Sequence, residues 1–131
     1  MNRKDVERLR RAVATRAGGE VVEVNNQPVT DSRTTVVATQ QFRSRLVVHN
    51  EGPGVVYVAW GDDNLDVPGG EYSYPLLSGG RIELEQDFYS ITKKKLRGAC
   101  AAGDEALVHT TEWTLALPPE IRRIYNQIRS I

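Results

Sequence analysis

The chain has 131 residues, with 17 Lys plus Arg against 17 Asp plus Glu, so it carries no formal net charge. That length fits one domain with its own apolar core. Neutrality argues against a nucleic-acid binder, which draws most of its affinity from a basic excess; it favours association between protein surfaces. Cys100 is the only cysteine, so no disulfide can form within the chain, which is expected to tolerate a reducing compartment. No apolar run approaches the ~20 residues of a membrane span, and the charged N-terminus lacks the apolar core of a signal peptide. The sequence therefore predicts folding in a cytoplasm, with no membrane partner.

Residues 3–16 read as a helix, with Val6, Leu9 and Val13 on one side and Gly18-Gly19 as its stop. Arg3, Lys4, Arg8, Arg10, Arg11 and Arg16 crowd this segment against only Asp5 and Glu7. Two readings stand: a solvated helix face, or a basic arm in which Arg8 and Arg11 meet an acidic partner. Glu20–Val24 is a short strand that Asn25-Asn26-Gln27-Pro28 is expected to break, and Thr34–Ala38 is a second candidate. Arg45–His49 and Val55–Trp60 are strong strands, and Asn50–Gly54 between them has the turn chemistry and length of a hairpin. Tyr72–Leu76 suits a short edge strand, because Pro75 has no amide proton for a ladder.

In Arg81-Ile82-Glu83-Leu84-Glu85 the alternation places Ile82 and Leu84 on one face and the charges on the other. Phe88–Thr92, Leu96–Ala101 and Ala106–Thr110 follow, the last two joined around Gly103-Asp104. One strand every 8–12 residues is the pattern of a sandwich or small barrel. Pro118-Pro119-Glu120 opens a terminal helix on which Ile121, Ile124, Tyr125, Ile128 and Ile131 recur at helical spacing. The fold class is thus mainly β: a single antiparallel β-sandwich, jelly-roll-like, with an N-terminal and a C-terminal helix. The divisions fall at 1–19 for the N-terminal helical arm, 20–117 for the sandwich body and 118–131 for the C-terminal amphipathic helix. Its isoleucine stripe and Tyr125 must either fold back over the sandwich or dock on a partner; the diproline is expected to project the helix away from the body, which favours docking.

Residues with catalytic or metal-binding chemistry are sparse. His49 and His109 lie inside strands beside apolar neighbours, and Cys100 sits among small residues, where free cysteine packs as a small hydrophobe. A Cys100–His109 pair across adjacent strands is geometrically possible, but nothing nearby activates it. One Cys and two scattered His do not make a zinc site. Asp62, Asn64 and Asp66 match the first ligands of a calcium loop, but Val67 stands where glycine is needed and Ser73 where a bidentate glutamate is needed. No catalytic residue, cofactor or metal is expected. Trp60 beside Asp62 and Asp63 would suit sugar stacking if the ring were exposed rather than part of the core.

From Arg43 to Trp113 the order of features is Arg45-Leu46-Val47-Val48-His49-Asn50, a glycine turn and Val56-Tyr57-Val58. Tyr74-Pro75-Leu76-Leu77-Ser78-Gly79-Gly80, Ile82-Glu83-Leu84, Phe88-Tyr89-Ser90-Ile91 and a final strand into Trp113 complete it. This order resembles the small β-sandwich structural proteins of tailed-bacteriophage virions. Lys93–Lys95 and Cys100 depart from that pattern, where a short Ser/Gly segment is usual. The resemblance implies a non-enzymatic virion part, first of all a capsid decoration or cement protein that bridges capsid subunits. A neck or tail adaptor is the near alternative, and a carbohydrate-binding β-sandwich module is the alternative from another class. The implied partners are other virion proteins, the major capsid protein or portal and tail proteins, with further copies of the chain in an oligomer or lattice. Assembly would take place in a bacterial cytoplasm.

Overall fold

The computed structural model describes residues 2–61 and 74–129. Helix α1 spans Arg3–Ala14 and starts where the Asn2 side chain accepts the Asp5 amide at 2.9 Å. It ends in a Schellman turn: Arg16 N–H donates to the Val13 carbonyl and Ala17 N–H to the Ala12 carbonyl, with Arg16 itself at φ +51°. Gly18 follows at φ +87°, where a Cβ would meet the Ala116 carbonyl oxygen at 1.7 Å. Only glycine lets the chain pass so close to the last strand on its way into the sheet.

Eight strands follow: β1 Glu20–Val29, β2 Thr34–Val37, β3 Arg43–Pro53, β4 Val56–Trp60, β5 Tyr74–Leu76, β6 Arg81–Leu84, β7 Leu96–Ala99 and β8 Ala106–Leu115. They form two antiparallel four-stranded sheets, ordered β1-β8-β3-β6 and β2-β7-β4-β5. β1 pairs with β8, β2 with β7, β3 with β6 and β4 with β5, as though one long hairpin had been rolled up on itself. Rolling sets β8 beside β3 and β7 beside β4. This is the jelly-roll arrangement of a sandwich. Val29, Leu46, Val48, Val56, Val58, Leu96 and Val108 fill the space between the sheets.

Several local expectations give way to this topology. Consecutive strands β3 and β4 belong to opposite sheets, so Asn50–Gly54 is a corner and not a hairpin turn. The Gly103-Asp104 connection between β7 and β8 likewise crosses from one sheet to the other. Asn50, fully buried, fixes the first corner: its amide donates to the carbonyls of Gly54 (2.9 Å) and Leu76 (2.8 Å), and its Oδ1 accepts the Gly52 amide (2.8 Å). Asn25–Pro28 does not break β1. The Ala116 amide donates to the Gly19 carbonyl at 3.0 Å, and bonded and non-bonded pairs alternate along an antiparallel ladder. Even-numbered residues of β1 therefore aim their backbone groups away from β8, and Pro28 falls where a missing N–H costs the ladder nothing. Phe88–Thr92 is not a strand; its turn is anchored by the buried Phe88 and Ile91.

In β6 the expected alternation holds, with Ile82 buried and Arg81 and Glu83 exposed. Ile82→Ala should lower stability by about 2–5 kcal/mol through the cavity it opens. Glu83→Ala should change it by less than about 0.5 kcal/mol. Thermal melts giving the reverse order would place the faces of β6 the other way round.

The terminal helix, α2 (Pro119–Arg129), does not project away from the body. Ile121 and Ile124 are buried with Leu9, Ala12 and Val13 of α1, Phe42, Phe88, Leu115 and Leu117 in a second core beneath the two helices. Tyr125 and Ile128 pack half-buried at its margin. The Tyr125 ring lies 5.1 Å from that of Phe42 and 5.8 Å from that of Phe88, and its hydroxyl donates to the Gln41 carbonyl. The stripe expected to dock on a partner is met by the chain's own α1, because an apolar face is stabilised by the nearest apolar face that can dry it. Both helices are thus packed elements rather than free arms. Ile131 lies outside the described residues.

Candidate functional site

The first feature the fold offers to a partner is the open edge of β1. This ten-residue strand has a neighbour on one side only, and Glu20, Val22, Val24 and Asn26 direct unpaired backbone groups outward. Val21, Val22 and Val24 are 49, 51 and 62% exposed. A long apolar edge is a template for pairing with another chain unless something blunts it, and here Glu20 and Glu23 are the strand's charges. Sequence reading missed this surface, because which strand lies at an edge is decided by the pairing of residues 20–29 with 106–115. Pro28 within a run of valines was the local signal.

Beside the edge, on the outer face of the β1-β8-β3-β6 sheet, lies a cleft of about 530 Å³ lined by Arg16, Glu20, Ser44, Arg45, Glu85 and Trp113, among others. Arg16 pairs with Glu20, which also accepts the Ser44 hydroxyl; Arg45 pairs with Glu85 and lies 4.5 Å from the centre of the Trp113 ring. Two arginines and two carboxylates thus neutralise one another around an indole. Trp60, the tryptophan considered for sugar stacking, is partly buried against the core, and Asp62 and Asp63 lie outside the described residues.

Arg8 and Arg11 are both exposed on α1, where the basic-arm reading needs them. They belong to the helix layer that covers one end of the sandwich, while Ile121 and Ile124 of the same sequence-predicted set lie under that layer. The structure therefore does not bring the two halves of the set to one surface.

Cys100 and His109 are not brought together either. Cys100 points between the sheets, where its thiol faces the Val29 carbonyl at 3.7 Å. Burial first, then the charges of Asp104, Asp31 and Glu105, raises its pKa and keeps it a thiol. His109 is on the outer sheet face, opposite His49 in the β3–β8 register, with Nδ1 2.6 Å from Asn26 Oδ1. Among the described residues no group of three or more His, Cys, Asp or Glu could hold a metal ion, and the Asp62–Asp66 loop lies outside them. No described helix is long and apolar enough to cross a membrane.

Two basic side chains reach into the end of the sandwich that carries the helices. Arg43 is fully buried and bonds Glu112 (2.7 Å) and the carbonyls of Ala38, Thr92 and Lys94. Lys93 donates to the carbonyls of Arg43 (2.7 Å) and Phe88 (2.6 Å) and lies 3.9 Å from the Phe88 ring centre. Burial, then the nearby Arg43 charge, lowers the Lys93 amine from 10.5 to about 8, with Asp87 acting the other way. A lowered folded-state pKa means that between about 8 and 10.5 the unfolded chain holds the extra proton, so the contribution of Lys93 to stability rises with pH across that window. The stability advantage of wild type over Lys93→Met should therefore widen between these two pH values in paired melts. A constant or narrowing gap would contradict it.

No family model matches the chain, and no curated protein matches it. Among solved structures it is similar to the plu4264 protein from Photorhabdus luminescens, at 6% identity and TM-score 0.47, covering 82% of this chain and 72% of that one. A Bacillus endospore appendage structure, a disulfide-linked pilus, gives 10% identity and TM-score 0.43 over 73% of this chain and 86% of the other. The structure of Sulfolobus turreted icosahedral virus gives 11% identity and TM-score 0.35 over 89% of this chain and 50% of the viral one.

Proposed function

We propose that the protein is a non-enzymatic structural component of a tailed-bacteriophage virion, and specifically a capsid decoration protein that bridges neighbouring capsid subunits after folding in the host cytoplasm. The observation that carries this reading is the open β1 edge, with three exposed valines beside unpaired backbone groups on an otherwise well-packed sandwich. Such an edge supplies main-chain hydrogen bonds and apolar contact to an extended segment of a neighbouring subunit. The order of turns and strands from Arg43 to Trp113 supports the virion setting.

The test is co-sedimentation of the purified protein with capsids stripped of decoration and, separately, with isolated tails of the same phage. Capsid binding that Val22→Lys/Val24→Lys abolishes while the melt is unchanged is the expected result. Binding to tails alone would assign the protein to the neck or tail. Binding that survives the double substitution would remove β1 from the interface.

A further inference from the structure

Zero net charge hides an uneven distribution of charge along the chain. Residues 1–19 carry Arg3, Lys4, Arg8, Arg10, Arg11 and Arg16 against Asp5 and Glu7, and residues 118–131 carry Arg122, Arg123 and Arg129 against Glu120. The helical segments hold nine basic and three acidic side chains, net +6; residues 20–117 sum to −6, with four of their carboxylates, Asp62, Asp63, Asp66 and Glu71, outside the described residues. Both helices cover the same end of the sandwich, where β3 begins and β8 ends.

The opposite end is built from four connections that hydrogen bonds gather together. Cys100 N–H donates to the Thr30 carbonyl (2.7 Å), Gly54 N–H to Glu105 (2.9 Å), Asn50 N–H to Gly80 (3.0 Å) and Gly79 N–H to Asn50 (2.7 Å). Asp31, Glu51, Asp104 and Glu105 are exposed there, against Arg33 and, at the start of β6, Arg81. Leu77 stands among these loops 60% exposed, a large apolar side chain in an acidic surround. On the helical end, the outer side of α2 has a shallow, open hollow of about 410 Å³ along one helix face, lined by Pro119, Arg122, Arg123, Asn126 and Gln127. One end therefore presents an apolar knob among carboxylates, and the other a hollow flanked by guanidinium groups.

We propose that the chain associates head to tail with further copies of itself, the acidic loop end of one copy seating Leu77 in the α2 hollow of the next. A symmetric contact through either end would set like charges against each other, which disfavours it. The opposite pairing steers the two ends together and excludes water around a central apolar contact. Because the two surfaces differ, each copy in a pair keeps one free end, and the assembly grows into a ring or a filament according to the turn per copy. This rests on the assembly reading for its biological setting and names one partner, a second copy, but it is tested on purified protein alone. Failure of self-association would leave the capsid experiment untouched, and failure of capsid binding would leave this one untouched.

The experiment is sedimentation velocity over a concentration series. At about 0.05 M salt the wild-type sedimentation coefficient should climb with concentration, and at about 0.5 M it should fall back toward the monomer value as the charges are screened. Arg123→Glu/Asn126→Glu reverses the charge of the α2 hollow, setting two carboxylates against the remaining Arg122, and Asp104→Lys/Glu105→Lys makes the loop end basic. All four positions are exposed, so both variants should melt as wild type does. Each alone should remain monomeric at low salt, and an equimolar mixture should recover association. Leu77→Asp should weaken wild-type association about tenfold or more, although it adds negative charge to the acidic end. Wild type that stays monomeric at low salt, single variants that still associate, or a mixture that stays monomeric would each overturn the proposal. Leu77→Asp that associates as well as wild type or better would overturn the seating of Leu77.

Discussion

Replacing Arg43 with methionine is expected to destabilise the protein by about 3–5 kcal/mol, the range seen when one partner of a buried charged network is removed. The guanidinium is fully buried, and its bonds reach Glu112 and three backbone carbonyls in two separate segments, Ala38 before β3 and Thr92 and Lys94 before β7. Neither segment is a strand, so Arg43 supplies the bonds that a ladder would otherwise provide. Methionine fills much of the volume but removes the donor from these acceptors, and each one that water does not reach costs its full desolvation. Chemical denaturation of wild type and variant measures the difference. A loss under about 1 kcal/mol would mean that water reaches those carbonyls in the variant.

A chain ending at Leu117 is expected to lose cooperative folding or aggregate. Removing α2 takes Ile121 and Ile124 from the second core and uncovers Leu9, Val13, Phe42 and Leu115 together. Burial of one such isoleucine contributes about 1.5–3 kcal/mol, and α1, twelve residues long, is marginal without tertiary packing. Size-exclusion chromatography and a thermal melt of the truncated chain test this. A soluble, cooperatively melting sandwich would show that the helix pair is a separate layer resting on a self-sufficient body.

Where the sequence could be read correctly, the information was local. Period-two alternation in Arg81–Glu85 gave the buried face of β6, and the isoleucine spacing after Pro119 gave α2. The mixed spacing of turns and strands gave a sandwich. What the isoleucines pack against could not be read, because an amphipathic stripe records the need for burial and not the partner; α1 lies more than a hundred residues away. The corner at Asn50–Gly54 shows the same limit. Five residues of turn chemistry serve a hairpin or a crossing between sheets equally well, and the choice rests on the buried amide of Asn50. Of the candidate surface, the exposed arginines of α1 were legible from composition, whereas the β1 edge emerges only from long-range strand order.

The open edge of β1 and the capsid location proposed for it are tested most directly by imaging. Virions from the culture that produces the chain would be labelled with a gold-conjugated antibody against it and viewed by electron microscopy, wild type beside Val22→Lys/Val24→Lys. The account predicts gold distributed over the capsid surface in the wild type and absent from particles made with the double variant. Gold confined to the tail, or capsid labelling that the double variant leaves unchanged, would contradict it.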